Sequence, residues 1–319
     1  MDGISSQYND RKTTILITGS TGFVCRYLVK KLLETTNANI VLTYRNSKGE
    51  YEQNNRVSFV KVDLLNTDSF NEVFIIHKPD IVIHLAAMAR VSDGEKNPVT
   101  VLRANLIATV KLMELCIFHN VKSMIYTSSN LAQDAVSVVG IGKFLAEQFA
   151  VKLQSSNRKL ICLRMPNVID SNGAVTLIFK KLIKNNQDLT ITHPEMSRMF
   201  VSGERAADML IYLINNGIGK RVYVSYDKPV KIVNLAKDMI KESGKNIGIK
   251  YIGMKPGEKL TEKHFPMSTI DVTKMLGLGM IKNYNFEDKK VESAINMLNT
   301  KEAIRSSKGI QMVFNKLLT

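Results

Sequence analysis

The sequence predicts an α/β fold, with a doubly wound parallel sheet followed by a smaller C-terminal α/β lobe. Apolar runs of strand length alternate with helical patterns of about ten residues or more, which is typical of right-handed β–α–β crossovers. A glycine turn links the first apolar run to the first helical pattern. Small and polar residues follow the ends of successive strands, where sheets of this type bind ligands. We expect both halves to share one cleft, with the boundary near Met165.

The first strand and the turn after it predict a dinucleotide site of the Rossmann type. Ile15 to Ile17 form a short buried strand, and Phe23 to Glu34 form an amphipathic helix. Gly19 and Gly22 let the backbone approach a pyrophosphate at the positive end of that helix. Cys25 occupies the place of a third glycine, and an ordinary βα turn is the alternative. The turn residues expected to contact the cofactor are Gly19, Thr21, Gly22 and Phe23.

Length and composition restrict the class of protein. The 319 residues are 45% hydrophobic and 23% charged, as in ordinary globular proteins, and no apolar run has the length of a membrane span. Met1 to Lys12 lacks the apolar stretch of a secretory signal, so we expect a cytoplasmic protein without membrane partners. Cys25, Cys116 and Cys162 lack metal-ligand spacing, so we expect reduced thiols and no metal site.

The net charge of +15 has two interpretations. One is attraction to a polyanion or to phosphorylated substrates. The other is that lysines decorate helix exteriors, as at Lys30–Lys31. We favour the second, because no basic block is interleaved with aromatic residues. No nucleic-acid partner is expected, and the charge leaves some local attraction for a diphosphate.

The second and third strands end in residues that select the cofactor. Asn39 to Tyr44 form a strand followed by Arg45, with no acidic residue to bind the ribose 2′-hydroxyl of NAD. Arg45 therefore favours NADP, although NAD stays open. Val57 to Val62 form a strand followed by Asp63 and Leu64. Asp63 is expected to accept a hydrogen bond from the adenine amino group, or alternatively to cap the next helix, predicted over residues 68–76.

The fourth strand, Asp80 to His84, leads into Leu85, Ala86 and Ala87. Small residues here let the backbone come near the cofactor, so Ala86 and Ala87 are predicted cofactor contacts. His84 fits a hydrogen-bonded structural histidine better than a catalyst. The following helix, over residues 99–119, carries Asn105, a poor residue for a helix interior. We expect a buried hydrogen-bonding role for it. Ser123 to Ser128 form the fifth strand.

Further segments carry a family pattern. They are ITGSTGF in the glycine turn, His84-x-Ala86-Ala87, Asn97-Pro98, RMPNVIDSNGAV at residues 164–175 and KPGEKLTE at residues 255–262. With these segments the chain resembles extended short-chain dehydrogenases/reductases acting on nucleotide sugars, most of all the UDP-N-acetylglucosamine 4,6-dehydratase group of polysaccharide and flagellar sugar biosynthesis. The resemblance covers roughly Thr13 to Met267. It implies NAD(P) binding by residues 1–165, and a nucleotide-sugar lobe with C-terminal helices at 166–319.

The resemblance implies an active site at the end of the fifth strand, and this chain departs from it. The family has S-T-D-K-A there, where Asp and Lys eliminate water, followed by a catalytic Tyr-x-x-x-Lys. This chain has Ser129, Asn130 and Leu131 in place of Thr, Asp and Lys. Val139 replaces the Tyr, and Lys143 is retained. Ser129, Asn130 and Lys143 are the predicted catalytic residues; Ser129 and Val139 are also expected to contact the substrate, and Lys143 the cofactor.

The resemblance also implies contacts in the second half. Pro166 is expected at the nicotinamide and Asn167 at the substrate. Arg198 is expected at the diphosphate, and Lys255 and Glu258 at the nucleotide. Surface solvation is the alternative for each of these three charges. The basic helix over 174–185 is predicted to line the nucleotide pocket, and residues 274–280 and 291–298 are predicted to be helical packing or tail.

Three functional hypotheses follow. Asn130 cannot donate a proton as a carboxylic acid does, and Leu131 cannot act as a base. We favour an enzyme acting on a preprocessed UDP-N-acetylhexosamine, with hydride transfer at carbon 4 and reduction at carbon 6 or epimerisation at carbon 5, as in a pseudaminic-acid type of pathway. The alternatives are an orthodox dehydratase with displaced groups and a silent cofactor- or sugar-binding partner. A homo-oligomer, dimeric or larger, is expected.

Overall fold

The computed structural model describes residues 12–153, 158–263, 265–282, 284 and 309–310. Strand β1 (Thr14–Thr18) is buried along its whole length, and helix α1 (Phe23–Thr35) begins directly after Gly22. Apolar residues recur along α1 at helical spacing and face the sheet, with Cys25, Leu28 and Leu32 fully buried. The predicted strand, glycine turn and helix are therefore confirmed.

The other elements follow in regular order. The remaining strands are β2 (Asn39–Tyr44), β3 (Val57–Lys61), β4 (Ile81–His84), β5 (Ser123–Ser129), β6 (Lys159–Met165), β7 (Asn167–Val168), β8 (Leu189–Ile191), β9 (Ser197–Arg198), β10 (Phe200–Val201), β11 (Arg221–Ser225), β12 (Val230–Lys231), β13 (Ile249–Tyr251), β14 (Ile270–Val272) and β15 (Leu278–Ile281). The remaining helices are α2 (Thr67–His77), α3 (Val91–Lys96), α4 (Pro98–Leu102), α5 (Ala108–Phe118), α6 (Val138–Leu153), α7 (Val175–Lys184), α8 (Gly203–Asn216) and α9 (Ile232–Ser243). Up to β6 strands alternate with helices as the sequence predicts, except that β3 follows β2 directly.

The main sheet has the strand order β14–β15–β11–β6–β5–β4–β1–β2–β3. Its strands pair in parallel from β3 across to β11. The chain runs outward from β1 to β3 and then returns to place β4 on the other side of β1. That reversal opens a crevice at the carboxyl ends of β1 and β4, which is where doubly wound sheets bind ligands. The predicted doubly wound parallel sheet is confirmed.

An antiparallel edge completes the sheet and corrects one prediction. Residues 274–280 are not helical, because β15 pairs antiparallel with β11 and with β14. Gly279 fits this pairing, since a Cβ there would meet the Cδ1 of Ile270 at 2.9 Å and the Ile270 side chain would have to shift. The other predicted helical stretch, over residues 291–298, lies outside the described residues.

Two apolar layers cover the sheet, one on each face. Ile15 and Ile17 of β1 join the layer that contains α1 and α8, whereas Leu16 between them joins the layer of α5 and α6. Successive side chains of a strand point to opposite faces, so a strand covered on both sides is apolar throughout. Cys25, Cys116 and Cys162 are buried free thiols within these layers, which confirms their expected state.

The helix predicted over residues 99–119 is one helical run in three parts: α4, a π-turn at Arg103–Ile107, and α5. Asn105 lies in the π-turn and is 1% exposed. Its Nδ2 donates to the Met88 carbonyl at 2.8 Å, and its Oδ1 accepts from the Met88 N–H at 2.9 Å. The predicted buried hydrogen-bonding role is confirmed, and the pair holds the backbone that follows β4.

A third apolar cluster lies among α7, α9 and β8, with Phe179 at its centre. The basic helix predicted over residues 174–185 is α7. The division of the chain near Met165 stays a prediction. Within the described ranges, no helix has both the length and the apolar content needed to span a membrane.

Candidate active site

The glycine turn has the backbone geometry that a phosphate site needs. Gly19 has φ of +81°, and a side chain there would meet the Cα of Ala86 at 2.9 Å. The turn therefore packs directly on the small residues after β4. Gly22 at the start of α1 offers no capping side chain, and the first turn of α1 has no acidic residue. The Cys25 N–H donates to the Gly22 carbonyl at 3.1 Å, but no side chain caps this positive helix end, so the pyrophosphate of a dinucleotide fits here.

A contact beside this turn was not predicted from the sequence. Tyr51, in the loop after β2, donates its hydroxyl to the carbonyl of Ser20 and also contacts the thiol of Cys25. Burial raises the pKa of Cys25 to about 12 and also raises the pKa of Tyr51. Both groups therefore stay protonated at neutral pH. Cys25, in the place of a third glycine, packs against the loop that follows β2.

The residues predicted to select the cofactor lie at the carboxyl ends of β2 and β3. Arg45 is exposed directly after β2, and Leu64 is half-buried after β3. The Oδ1 of Asp63 accepts from the Leu65 N–H at 3.0 Å. The alternative role of Asp63 as a helix cap is wrong, because the Asn66 side chain caps α2 by accepting from the Ser69 N–H at 3.2 Å. Asn66 directly precedes the first helical turn, where a capping side chain must stand.

His84 is held between two hydroxyl groups. Its Nδ1 lies 2.7 Å from the Oγ1 of Thr18, and its Nε2 lies 3.0 Å from the Oγ1 of Thr109. Thr18 also accepts from the Ala86 N–H at 3.1 Å. Burial lowers the pKa of His84 to about 3, with a smaller contribution from the nearby Lys143. A neutral, doubly hydrogen-bonded ring confirms the structural role, and it ties β1 to the backbone after β4.

The pKa of His84 predicts acid sensitivity. The unfolded chain takes up this proton near pH 6.5 and the folded chain only near 3. The free energy of unfolding should therefore fall between these values by up to about 1.4 kcal/mol per pH unit for this group. Urea unfolding of wild type and His84→Asn as a function of pH checks this, with the half-exposed His193→Asn as control. An equal pH slope for wild type and His84→Asn would contradict it.

Lys143, which is retained from the family, and Ser129, which replaces the family Thr, meet at the carboxyl end of β5. Lys143 is 4% exposed, and its amine donates to the Thr127 carbonyl at 2.7 Å. Burial lowers the pKa of Lys143 to about 8, so its neutral form is accessible just above neutral pH. The Oγ of Ser129 accepts from the Leu131 N–H at 3.2 Å. Among the contacts of the described residues, this leaves the Ser129 hydroxyl proton for a ligand.

Val139 fills the place of the family tyrosine with an apolar side chain. It is 1% exposed and belongs to the apolar layer around α6. Tyr126 on β5 does not replace the missing phenol, because burial raises its pKa well above 10. The end of β5 therefore keeps a lysine and a serine and has lost the phenol.

Glu262 joins the two halves of the site. Its carboxylate accepts from the Nδ2 of Asn130 at 3.3 Å, from the Nδ2 of Asn167 at 3.0 Å and from the Met199 N–H at 2.9 Å. The Nε of Arg198 lies 3.8 Å from the same carboxylate. The Oδ1 of Asn130 is buried and has no hydrogen-bond partner among the described residues. Glu262 thus positions the asparagine that stands where the family has its acid.

Arg198 and the KPGEKLTE segment are held by main-chain contacts. The Arg198 guanidinium donates to the Lys259 carbonyl at 2.7 Å and to the Ser197 carbonyl at 2.7 Å. Lys255 is exposed, and its N–H donates to the carboxylate of Glu258 at 3.1 Å. Arg198 therefore fixes the segment that carries Lys259 and Glu262.

Lys259 lies against the loop after β5. Its amine donates to the Gln133 carbonyl and lies 3.5 Å from the Leu131 carbonyl. Burial lowers the pKa of Lys259 to about 8. The amine thus stands beside the residue that replaces the family lysine, although it belongs to a distant part of the chain.

Behind the site, Glu147 and Arg164 form a buried ion pair. The Nε and Nη2 of Arg164 donate to both carboxylate oxygens, with distances of 2.9, 3.2 and 2.7 Å. Glu147 also accepts from the hydroxyl of Tyr284 at 2.7 Å and from that of Ser128. Glu147 is fully buried and Arg164 is 4% exposed. This pair ties α6, which carries Lys143, to the end of β6.

The structure brings most predicted site residues to one end of the sheet. Ser129, Asn130, Lys143 and Asn167 gather around the carboxyl ends of β5 and β6, and Pro166 is buried directly after β6. The prediction missed Glu262, Lys259 and Tyr51. Glu262 and Lys259 lie in the KPGEKLTE motif that the sequence analysis identified, but their contacts could not be predicted from the sequence. The described residues contain no group of three or more side chains that could hold a metal ion.

Comparison with known proteins agrees with this geometry. The polysaccharide biosynthesis protein family matches residues 15–278. The chain is 33% identical over 266 residues to the capsular polysaccharide biosynthesis protein CapD of Staphylococcus aureus, which covers 78% of this chain and 44% of CapD. It thus spans less than half the length of that relative.

Two further relatives match over more of their length. The chain is 28% identical over 279 residues to the UDP-glucose 4-epimerase of Rickettsia canadensis, covering 83% of this chain and 81% of that protein. The X-ray structure of Pen from Bacillus thuringiensis superposes with a TM-score of 0.78 at 26% identity, over 85% of this chain and 88% of Pen. The chain therefore belongs to the polysaccharide biosynthesis protein family, within the extended short-chain dehydrogenases/reductases.

Proposed function

We propose that this protein is a nucleotide-sugar enzyme that acts on a preprocessed UDP-N-acetylhexosamine in surface-glycan or nonulosonic acid biosynthesis. The observation that carries the proposal is the state of the β5 end. A buried lysine and an available serine hydroxyl remain there, whereas the positions of the acid, the base and the phenol hold Asn130, Leu131 and Val139. Such a site orients a sugar for hydride transfer and lacks the groups that expel water.

The proposed cofactor is NAD(P), which when bound accepts a hydride from carbon 4 of the sugar and returns one to the ring substituent at carbon 6. Gly19, Thr21, Gly22 and Phe23 would hold its pyrophosphate, and Ala86, Ala87 and Pro166 would border the nicotinamide side. Asp63 and Leu64 would contact the adenine. We propose a preference for NADP, because the exposed Arg45 after β2 is suited to a 2′-phosphate.

The chain's own groups supply the orientation. Lys143 would hold the ribose hydroxyls and keep positive charge beside the nicotinamide. Ser129 would donate its proton to the hydroxyl or keto oxygen at carbon 4 of the sugar. Asn167, Arg198, Lys255 and Glu258 would bind the nucleotide-sugar side, with Val139 as an apolar wall. We also propose the division into residues 1–165 and 166–319 as the cofactor and sugar halves.

The test supplies purified protein and NAD(P) with UDP-N-acetylglucosamine and, separately, with its 5,6-ene. We expect product from the 5,6-ene, and turnover of UDP-N-acetylglucosamine lower by about 10²-fold or more, because acid and base are absent. Product analysis by NMR distinguishes reduction at carbon 6 from epimerisation at carbon 5. Turnover of UDP-N-acetylglucosamine alone would instead support an orthodox dehydratase with displaced groups.

A second candidate is a catalytically silent cofactor- or sugar-binding partner of an active enzyme. The buried Val139 and the apolar Leu131 favour this second candidate, since they replace the catalytic phenol and base with side chains that pack in one apolar layer. A silent protein would bind UDP-sugars and turn over neither substrate. Titration calorimetry with UDP-sugars, beside the turnover assay, distinguishes the two candidates.

A further inference from the structure

Lys259 has an unusual position for a surface-loop lysine. Its amine reaches the carbonyls of Leu131 and Gln133 in the loop after β5. The N–H of Leu131 donates to the Oγ of Ser129 at 3.2 Å, so the amine and the predicted sugar contact both bind the backbone of Leu131. A lysine that serves only as a solvated surface charge would not need these contacts to the Leu131 and Gln133 carbonyls.

The backbone of Lys259 is fixed by Arg198. Arg198 donates to the carbonyls of Lys259 and Leu260 at 2.7 and 3.4 Å. The next charged residue along, Glu262, binds Asn130 and Asn167. The main chain that carries Lys259 is therefore held in place, and this positions the Lys259 amine at the end of β5.

The charges around Lys259 leave it able to exchange a proton. Asp134 and Glu262 face it with negative charge, and Arg164 and Arg198 face it with positive charge. Burial outweighs the two carboxylates and lowers its pKa to about 8. By contrast, the carboxylate of Glu262 accepts from three donors, on Asn130, Asn167 and Met199, and lies 3.8 Å from the Nε of Arg198, which leaves it a positioning residue.

We propose that Lys259 is the acid–base residue of this site and exchanges the proton on the sugar carbon next to the keto group. The inference rests on the proposed function, because it needs a 4-keto sugar in the cleft. The neutral amine takes the proton from carbon 5, and the C–H electron pair becomes an enolate with its charge on the carbon 4 oxygen. The ammonium then returns a proton to carbon 5. No oxidant or reductant is consumed.

The test uses a UDP-linked 4-keto-6-deoxy-N-acetylhexosamine in deuterated water, and NMR follows deuterium entering carbon 5. The wild type should exchange this proton, faster as the pH rises, with a plateau above about pH 8. Lys259→Met and Lys259→Arg should both slow the exchange by about 10²–10⁴-fold. Arg keeps the positive charge and can donate to the same carbonyls, but it does not lose its proton at these pH values.

Controls separate this inference from the proposed function. Lys250→Met, at an exposed lysine paired with Asp188 at 2.9 Å, should exchange like the wild type. UDP affinity and thermal unfolding show that the variants are folded. Exchange in Lys259→Arg within tenfold of wild type would overturn the inference alone. Absence of both UDP binding and exchange in the wild type would overturn the inference together with the proposed function.

Discussion

Replacing Lys143 with Met should lower turnover of the 5,6-ene substrate by about 10²-fold, the effect typical of losing a group that positions the reactants. The amine is the charged group held at the end of β5, where it donates to the Thr127 carbonyl at 2.7 Å. Met has a similar length and cannot bind ribose hydroxyls. Steady-state kinetics with NAD(P) and the 5,6-ene measure the loss.

The same variant should not unfold the protein. Burial lowers the pKa of Lys143 to about 8, which means that the folded chain disfavours its charge. Removing that charge should leave the thermal midpoint unchanged or raise it. Exposed Lys250→Met, at a lysine paired with Asp188 at 2.9 Å, is the matched control for both measurements. Unchanged turnover in Lys143→Met would favour the silent binding partner.

Replacing Arg164 with Met should cost about 3–5 kcal/mol of unfolding free energy, the effect typical of breaking a buried ion pair. The substitution leaves the Glu147 carboxylate buried with its hydroxyl partners but without the guanidinium that pairs with both of its oxygens. Urea unfolding at neutral pH measures the loss. Since this pair ties α6 to β6, we also expect Lys143 to be displaced and turnover to fall.

The double variant Arg164→Met, Glu147→Leu tests whether the loss comes from the buried charge of Glu147. It removes both charges, so it should be more stable than Arg164→Met alone. Lys250→Met serves again as control, because its pair is largely exposed and should contribute no more than about 1 kcal/mol. A loss in Arg164→Met equal to that of the control would show that the buried pair does not stabilise the fold.

Much of the sheet was predictable because its signals are local. The run from Ile15 to Ile17 is apolar on both faces, and Gly19 and Gly22 mark the turn that follows. His84 and Asn105 were predicted as buried hydrogen-bonding residues from their residue type within apolar elements, and both roles are confirmed. Each of these inferences needs only a few neighbouring residues.

The predictions were wrong where one sequence pattern is compatible with two structures. Residues 274–280 were predicted as helical packing or tail, yet they lead into a strand whose glycine fits against Ile270. Asp63 and Asn66 are both suited to cap a helix, and only the backbone geometry shows that Asn66 does so. A residue type alone does not distinguish a cap from a turn contact three residues earlier.

The amino-acid sequence by itself determined the strand–turn–helix unit and the doubly wound parallel sheet, and its resemblance to the family pattern showed the loss of acid, base and phenol after β5. Only the tertiary structure decided which residues surround the positions where these catalytic groups are missing. Asn130 and Glu262 are 132 positions apart, and Lys259 and Gln133 are 126 apart. Periodicity and turn chemistry act over a few residues, whereas such contacts exist only once β5 and the KPGEKLTE segment are packed together.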